Sequence, residues 1–262
     1  MIIRKSQAEI DTMGRAGEVV ADTLALLADH IRPGVTTGEL DAFAEEFIRS
    51  RGGHPTFKGY KGYPASICAS PNEMVVHGIP GPYELAPGDV LAVDVGVTLD
   101  GYVADSAWTF AVDGISPQAE RLLEVCEQAL YAGIDKARVG NRIGDISAAV
   151  QREVEAGGFA VVRSLVGHGV GRSMHEEPQI PNFVGDHRGP LLQTGMTLAI
   201  EPMITAGDPE VFVHDDDWSI STVDGSLAAH FEHTVAVTDQ GPWILTRAKD
   251  PAELRSSGGL LG

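Results

Sequence analysis

Residues 88–94 read GDVLAVD and residues 195–201 read GMTLAIE, so an apolar run that ends in a carboxylate occurs twice, 107 residues apart. Short apolar runs bounded by glycine are typical of buried β-strands. The repetition predicts two related halves and puts Asp94 and Glu201 at equivalent points in them. Related halves would bring both acids to the place where the halves meet, which is a natural position for a shared cleft.

The segments that precede these two runs also repeat. Residues 18–52 match residues 124–158 at a constant offset of 106, and both copies show apolar residues with helical spacing. The matched apolar positions are Leu40 with Ile146, Ala44 with Val150 and Ile48 with Val154. The sequence therefore predicts that helices occupy corresponding places in the two halves.

Helix boundaries are marked by local signals in both copies. Side chains that cap a helix start and glycines that end a helix occur at Ser6-x-x-Glu9, Thr36-x-x-Glu39, Ser116-Pro117, Gly52-Gly53 and Gly157-Gly158. We expect each half to be a helix pair followed by β-strands. The expected organisation is one domain of residues 1–262, with halves of about 1–112 and 113–248 and a flexible tail over about 249–262.

Composition and charge exclude several classes of function. The 262 residues are 43% hydrophobic and 21% charged, which is ordinary for a soluble globular enzyme. The 37 acidic against 19 basic residues give a net charge of −18, which argues against a nucleic-acid-binding surface. We interpret Asp215, Asp216 and Asp217 as a solvated loop. No membrane span or signal-peptide core is evident, and two cysteines fit a reducing compartment, so a cytoplasmic location is expected.

Four carboxylates and one imidazole lie in or beside short apolar segments. They are Asp94, Asp105, His168 in the glycine-rich loop Gly167-His168-Gly169, Glu201 and Glu232. An unpaired buried carboxylate is costly, so buried acids are normally paired or bound to a metal. The alternative, that each faces solvent separately, can explain any one of them but explains all five poorly. The sequence therefore predicts a metal site.

The two aspartates flank a turn signal, Leu99-Asp100-Gly101, which predicts a β-hairpin. With a four-residue loop, Asp94 lies opposite Asp105. With a two-residue loop, the two are diagonal neighbours. Either register leaves both carboxylates on one face of the sheet, close enough for one to bridge two cations.

The proposed ligands are rich in oxygen, with one nitrogen and no thiolate. Strand alternation groups Glu232 with Thr234 and places Phe231 and Val235 on the other face. Such a ligand set disfavours a closed structural zinc site and suits Mn(II), Fe(II), Co(II) or an open catalytic zinc pair. His77 and His175 lie in glycine-containing loops beside these segments, and we interpret them as functional because loops carry reacting groups.

Ordered motifs along the chain resemble type I methionine aminopeptidase, from about residue 3 to residue 248. The matching segments are NEMVVHGIP, DVGVTLDGYVADSAWTF, GHGVGRSMHEEP, TLAIEPM and FEHTVAV. The chain is similar to the short bacterial form. The resemblance implies the pita-bread α/β fold, with two pseudo-symmetric halves and an antiparallel sheet covered by helices. It also implies removal of the initiator methionine from nascent polypeptides with a small second residue.

Carried over motif by motif, the resemblance assigns roles to the candidate residues. Two divalent ions (Co, Mn, Fe or Zn) are implied, one held by Asp94, Asp105 and Glu232 and the other by Asp105, His168, Glu201 and Glu232. Glu201 would also handle protons for a water or hydroxide that bridges the two ions. His175 is implied to stabilise the carbonyl oxyanion, and His77 to contact the scissile amide.

For the methionine side chain, the resemblance points to Tyr60, Tyr63, Cys68 and Trp218, with Phe57 and Met174 as further walls. Aromatic and sulfur-bearing surfaces suit a thioether. Phe57 stands where the bacterial form often has a cysteine, and Met174 where an aromatic residue usually precedes the second histidine. These departures leave the shape of the pocket open.

Two other functions compete with this interpretation. A proline-directed peptidase of the same fold usually carries a large additional N-terminal domain. A non-catalytic homologue would be expected to lose metal ligands, and all five are present. The expected partner is the N-terminal methionine of a nascent peptide, with the ribosome near its exit tunnel as a further candidate. The family implies a monomer, with no membrane or specific nucleic-acid partner.

Overall fold

The computed structural model describes residues 1–250 and Leu254. Its helices are α1 (Gln7–His30), α2 (Thr37–Ser50), α3 (Pro117–Lys136) and α4 (Ile143–Ala156), with a short 3-10 helix at Tyr60–Gly62. The strands before α3 are β1 (His54–Pro55), β2 (Cys68–Pro71), β3 (Met74–Val76), β4 (Val90–Leu99) and β5 (Tyr102–Ala111). The strands after α4 are β6 (Ala160–Val161), β7 (Gly167–Gly169), β8 (Glu176–Ile180), β9 (Thr197–Ile200), β10 (Met203–Thr205), β11 (Val211–Val213), β12 (Ile220–Thr222), β13 (Ala228–His230), β14 (His233–Thr238) and β15 (Gly241–Ile244).

The helix pairs follow the repeat that the sequence shows. Both α2 and α4 begin and end at positions separated by the predicted offset of 106, and α1 and α3 end at positions with the same offset. The turns between the helices also agree, because Gly34 and Gly140 have φ of +89° and +92°. Only glycine adopts such angles without strain, so these two positions fix the turn in both halves.

The predicted helix starts are confirmed. The Ser6 and Glu9 side chains form a capping box, and Thr36 forms another with Glu39. The Ser116 hydroxyl accepts a hydrogen bond from the Ala119 amide at 3.2 Å. Each cap satisfies amide groups that the first helical turn leaves without a partner and stabilises the helix by about 1 kcal/mol.

Antiparallel pairing joins the strands that the structure describes. In the first half, β4 pairs with β1, β2 and β5. In the second half, a sheet has the order β15-β14-β9-β7-β8. The first helix of each pair, α1 or α3, packs against the strands of its own half, and the core between helices and sheets consists of fully buried side chains such as Leu24, Leu91, Leu130 and Phe231.

Two threonine hydroxyls join the strands of the two halves. Thr234 Oγ1 accepts a hydrogen bond from the Asp105 amide at 2.9 Å and donates one to the Asp105 carbonyl at 2.8 Å. Thr109 Oγ1 likewise accepts from the His230 amide at 2.9 Å and donates to the His230 carbonyl at 2.7 Å. We call this pair of threonines the hydroxyl seam. It fixes β5 against the β13–β14 segment.

Two local predictions are wrong. His168 does not lie in a loop, because Gly167–Gly169 forms β7 and pairs with both β8 and β9. Glu232 does not lie within a strand, because β13 ends at His230 and β14 begins at His233. Its predicted alternation with Thr234 therefore does not apply.

Three further expectations concern surface features and the chain end. Asp215, Asp216 and Asp217 form a loop between β11 and β12, as predicted, and the Asp216 carboxylate accepts from the Trp218 and Ser219 amides. The predicted flexible tail lies outside the described residues except for positions 249, 250 and 254, where Leu254 is buried. None of the described helices is long and apolar enough to cross a membrane.

Candidate metal centre and its adjoining pocket

One cavity, of about 250 Å³, collects every side chain for which the sequence predicts a role. We call one group the carboxylate cluster: Asp94, Asp105, His168, Glu201 and Glu232. We call another group the apolar wall: Phe57, Tyr60, Tyr63, Cys68, Met174 and Trp218. His77 and His175 line the same cavity. The ligand and substrate roles of these residues stay predictions, but the structure brings all of them together.

The hairpin β4–β5 positions the two aspartates. Leu99 pairs with Tyr102, so the loop contains two residues, Asp100 and Gly101, which have φ of +49° and +79°. Two positive φ angles are typical of the type I′ turn that suits a two-residue hairpin. Asp94 therefore pairs with Ala107 rather than with Asp105, and the two carboxylates are diagonal neighbours on one face. The two-residue alternative is the correct register.

His168 lies in β7 between two glycines, and the lack of side chains at both positions lets β7 pack closely against the neighbouring strands. A Cβ atom at Gly167 would lie 2.5 Å from the Ala199 carbonyl oxygen, and one at Gly169 would lie 2.2 Å from that of Glu177. Only glycine allows the neighbouring backbones to approach so closely. The Gly-His-Gly sequence is thus a requirement of strand packing around a buried imidazole.

The hydrogen bonding of His168 determines which nitrogen faces the acids. Nδ1 lies 2.9 Å from the Gly169 carbonyl oxygen, which can only accept, so Nδ1 carries the hydrogen. Nε2 then presents a lone pair 3.4 Å from Glu201 Oε1 and 3.9 Å from Asp105 Oδ2. Burial lowers the pKa of His168 to about 4, so the ring is neutral and these contacts are not ion pairs. A neutral imidazole of this orientation is suited to binding a metal.

Glu201 and Glu232 lie in matching interruptions of two adjacent strands. Ile200 pairs with His233 and Met203 pairs with His230, so residues 201–202 and 231–232 are left between paired positions. Proline at 202 has no amide hydrogen and cannot continue the ladder. Both glutamates thus lie at a gap in the sheet.

Hydrogen bonds from the neighbouring segments hold the backbone at this gap. The Glu232 amide donates to the Ala107 carbonyl at 2.9 Å, and the Ser106 hydroxyl donates to the Glu232 carbonyl at 2.5 Å. The Asn182 side chain donates to the Glu201 carbonyl at 2.9 Å. The carbonyls of both glutamates and the Glu232 amide therefore have partners, and the two side chains line the cavity.

Burial raises the pKa of every acid in the cluster, and repulsion from neighbouring carboxylates raises the pKa of three of them further. Burial raises the pKa of Asp94 to about 7. The pKa values of Asp105, Glu201 and Glu232 are also raised well above the ordinary range, first by burial and then by the neighbouring carboxylates. Four such acids cannot all be ionised together unless positive charge is placed among them.

A divalent cation fits this donor set. Among the described side chains, buried oxygens without a hydrogen-bond partner include Asp94 Oδ1, Asp105 Oδ1 and Glu232 Oε1. Ligand atoms of Asp105, His168 and Glu232 lie within 4.8 Å of one another. Buried polar atoms are normally paired, so these oxygens indicate a missing positive partner. Oxygen ligands with one imidazole suit Mn(II), Fe(II), Co(II) or an open zinc site.

His77 and His175 border the carboxylate cluster. The His175 ring lies 4.3 Å from the His168 ring, measured between centroids, and its Nδ1 is 2.9 Å from the Tyr60 hydroxyl. His77 has φ of +60°, an uncommon angle for a residue with a side chain. The ring of His77 meets that of Trp218 edge to face. Burial lowers the pKa of His77 to about 4, so it is neutral near pH 7.

The apolar wall is organised by contacts between aromatic rings. Tyr63 meets Trp218 edge to face at 5.0 Å and Phe57 at 6.4 Å between centroids. The Tyr63 hydroxyl donates to backbone carbonyls at 3.0 Å, so its ring is fixed. Phe57 packs over Gly96, where a Cβ atom would lie 2.7 Å from the Phe57 ring. Cys68 pairs with Asp94 across β2 and β4, which joins this wall to the carboxylate cluster.

Sequence reasoning missed several residues of the cavity. They are Lys61, Val76, Leu165, Val166, Met203 and His230. The apolar members carry no chemical signal in the sequence. His230 does carry one, because it lies two residues before Glu232 and an imidazole in an apolar segment is a possible ligand.

Comparisons with known proteins agree with this geometry. A protein of Clostridium perfringens named methionine aminopeptidase is 52% identical over 249 residues, which are 95% of this chain and 100% of that protein. Methionine aminopeptidase 1 of Bacillus subtilis is 51% identical over 247 residues, 94% of this chain and 100% of that protein. The crystal structure of methionine aminopeptidase from Thermotoga maritima is 43% identical, with a TM-score of 0.92, and covers 94% of this chain and 100% of that chain.

The likeness to these structures confirms the predicted pita-bread fold. The model of metallopeptidase family M24 matches residues 11–239, a range that contains the whole carboxylate cluster and the described strands from β1 to β14. The chain belongs to metallopeptidase family M24.

Proposed function

We propose that the chain removes the N-terminal methionine from peptides with a small second residue, and that two divalent cations take part. One observation carries this proposal: the carboxylate cluster and the apolar wall line a single cavity. A cluster of metal ligands alone would suit many hydrolases. The adjoining wall of aromatic rings and sulfur suits a linear thioether.

The residues that would hold the cations are those of the carboxylate cluster. Asp94, Asp105 and Glu232 would hold one cation, and Asp105, His168, Glu201 and Glu232 the other. When bound, the cations would supply Lewis acidity, which activates water and stabilises negative charge on the substrate. They would also neutralise the acids, whose pKa values are raised without them.

Proton transfer is assigned to Glu201. Its carboxyl lines the cavity beside the other proposed ligands, where a positioned carboxylate can accept and release a proton during the reaction. Glu201 would accept a proton from the attacking water and deliver it to the leaving amide nitrogen. His175 would stabilise the developing charge on the carbonyl oxygen, and His77 would hold the scissile amide.

Substrate selection follows from the two groups that line the cavity. The free amine of the substrate would bind at the carboxylate cluster, so a peptide with a blocked N-terminus would lack its anchor. The methionine side chain would lie against Phe57, Tyr63, Cys68 and Trp218, which pack in one hydrophobic cluster. These two contacts together would restrict cleavage to the first peptide bond.

The test is release of methionine from Met-Ala-Ser by metal-free protein reloaded with Mn, Fe, Co or Zn. We expect metal-dependent release, and Glu201→Ala should reduce kcat by about 10²–10⁴-fold because a positioned proton-transfer group contributes that much. Glu210→Ala, at an exposed glutamate outside the cavity, is the matched control and should retain activity. Full turnover by folded, metal-free protein would overturn the proposal.

A peptide that begins with Xaa-Pro separates this function from a proline-directed peptidase of the same fold. We expect hydrolysis of Met-Ala-Ser and none of the Xaa-Pro peptide. The opposite preference would replace the proposal with the proline-directed activity.

We also expect the protein to act as a monomer in the cytoplasm on nascent chains at the ribosomal exit tunnel. Sedimentation and ribosome co-pelleting would test these points.

A further inference from the structure

His230 is a buried imidazole that the proposed mechanism does not use. It is the last residue of β13 and is only 2% exposed. Its Nε2 atom has no hydrogen-bond partner and lines the same cavity as the carboxylate cluster. Burial of a polar atom without a partner is unfavourable, so an orphaned nitrogen directed at acids requires an explanation.

The distances around His230 are those of ligands that share an ion. Nε2 lies 3.7 Å from Glu201 Oε2 and 3.9 Å from Glu232 Oε2. Both separations exceed the roughly 2.7–3.2 Å of an N–H···O hydrogen bond. Two ligand atoms that each lie about 2.1 Å from one cation can be up to about 4.2 Å apart, which includes both distances.

Glu201 stands between two imidazoles. Its Oε1 atom faces His168 Nε2 at 3.4 Å, and its Oε2 atom faces His230 Nε2 at 3.7 Å. The separation from His230 is therefore similar to that from His168, which is already a candidate ligand. Ligand atoms of Glu201, His230 and Glu232 also lie within 4.8 Å of one another, as those of Asp105, His168 and Glu232 do.

The backbone of His230 is held in place independently of any cation. Thr109, in the hydroxyl seam, binds both the amide and the carbonyl of His230. A ligand whose backbone is fixed in this way loses little freedom on binding, which is a feature of built metal sites.

We propose that His230 Nε2 binds a divalent cation together with Glu201 and Glu232, so that the centre has two imidazole ligands. This inference rests on the metal site of the proposed function and deepens it. A second nitrogen ligand favours zinc, iron or cobalt over manganese, because imidazole suits the former and carboxylate oxygen suits the latter. His230 would thus shift the metal preference of the site towards zinc, iron or cobalt.

Proton NMR of the cobalt(II)-loaded protein tests the inference directly. An imidazole bound to cobalt through one nitrogen carries an exchangeable proton on the other, and the unpaired electrons of cobalt shift its resonance far outside the normal range. We expect one such signal from His168 and one from His230. His230→Gln should remove one signal and weaken cobalt binding at one site by about 10–100-fold. It should also raise manganese binding relative to cobalt.

His233→Gln is the matched control, because it also removes a buried imidazole, one that bonds to Thr246 rather than to the acids. It should retain both signals. If His230→Gln does not fold, His230→Asn takes its place. A wild-type spectrum with one signal, or a His230→Gln spectrum that keeps every wild-type signal, would overturn the inference and would indicate that His230 only orients Glu201.

Failure of this inference is distinguishable from failure of the proposed function. Protein that releases methionine but shows only the His168 signal refutes the ligand role of His230 and leaves the function standing. Protein that shows both signals but releases no methionine refutes the function and supports the ligand role.

Discussion

The carboxylate cluster and the apolar wall line one cavity but act on the stability of the protein in opposite ways. Buried apolar side chains of the wall, such as Phe57 and Met174, each stabilise the fold by about 1.5–3 kcal/mol. Each acid of the carboxylate cluster is buried beside other acids, and its raised pKa shows that the ionised form is disfavoured. Without a bound cation, the carboxylate cluster therefore lowers the free energy of unfolding. Burial of the apolar wall raises it and so offsets part of that cost.

The largest expected effect comes from a change in the carboxylate cluster that keeps its shape. Asp105→Asn removes one carboxylate, the one proposed to bridge the two cations, while preserving the size of the side chain. We expect kcat/KM for Met-Ala-Ser to fall by more than about 100-fold, since even indirect partners of metal ligands are worth 10–100-fold. Metal analysis of the purified variant should show a reduced cation content.

The same substitution should stabilise the metal-free protein, because it relieves repulsion among buried acids. Equilibrium unfolding in urea at pH 8, with chelator present, measures this. If metal-free Asp105→Asn protein is less stable than the metal-free wild type, the carboxylate cluster does not destabilise the fold, and the contrast with the apolar wall is wrong.

The stability of metal-free protein should depend on pH with a defined sign. Above about pH 7.5 an unfolded chain has already lost its carboxyl protons, whose pKa values are about 4, and its histidines, whose pKa values are about 6.5, are largely neutral. The folded chain still holds protons on the carboxylate cluster, where the pKa of Asp94 is raised to about 7 and the pKa values of the other acids are also raised well above their ordinary range. The folded state therefore binds more protons, and the free energy of unfolding falls as pH rises, by about 1.4 kcal/mol per pH unit for each proton.

Below that window the buried histidines act in the opposite direction. Burial lowers the pKa of His168 to about 4 and that of His230 to about 3, so between about pH 4 and 7.5 the unfolded chain binds protons that these two rings do not bind in the folded state. Urea titrations from about pH 7.5 to 8.5 isolate the contribution of the acids. Asp105→Asn should reduce the slope, and bound cation should abolish it because it replaces the protons. An unchanged slope in the variant would contradict the assignment.

The smallest effect is expected in the apolar wall. Met174→Leu conserves volume, and such exchanges usually change stability by less than about 1.5 kcal/mol. We expect KM for Met-Ala-Ser to rise by less than about tenfold, because one contact with the methionine side chain is altered, while kcat stays unchanged. Steady-state kinetics at saturating metal measure both. A large loss of kcat would mean that the wall also positions the reacting groups.

The sequence predicts the fold well where local signals act alone. The capping residues Ser6 and Thr36 of the first half each impose one local structure, and the glycines at positive φ between the helices recur in both halves. The hairpin register could not be chosen from the sequence between two loop lengths. The positive φ of Asp100 decides it, and that angle depends on the twist of the surrounding strands.

Site residues could be predicted from the sequence where a charged side chain interrupts an apolar segment. Asp94 and Asp105 stand out because each carboxylate interrupts an apolar strand. Glu232 was placed wrongly within a strand because the break at 231–232 arises from the facing proline of another segment, which a local pattern cannot show. His230 was missed because an imidazole in an apolar segment is usually an ordinary core residue.

The hydroxyl seam has a consequence for how the centre is assembled. Each threonine hydroxyl accepts a hydrogen bond from the amide of one residue in the other half and donates one to the carbonyl of the same residue. Four hydrogen bonds therefore fix the register between the halves. The two halves cannot slide past each other without breaking all of them together. The backbone at Asp105 and His230 is therefore preorganised before any ion arrives, and capture of the ion entails little loss of conformational entropy there.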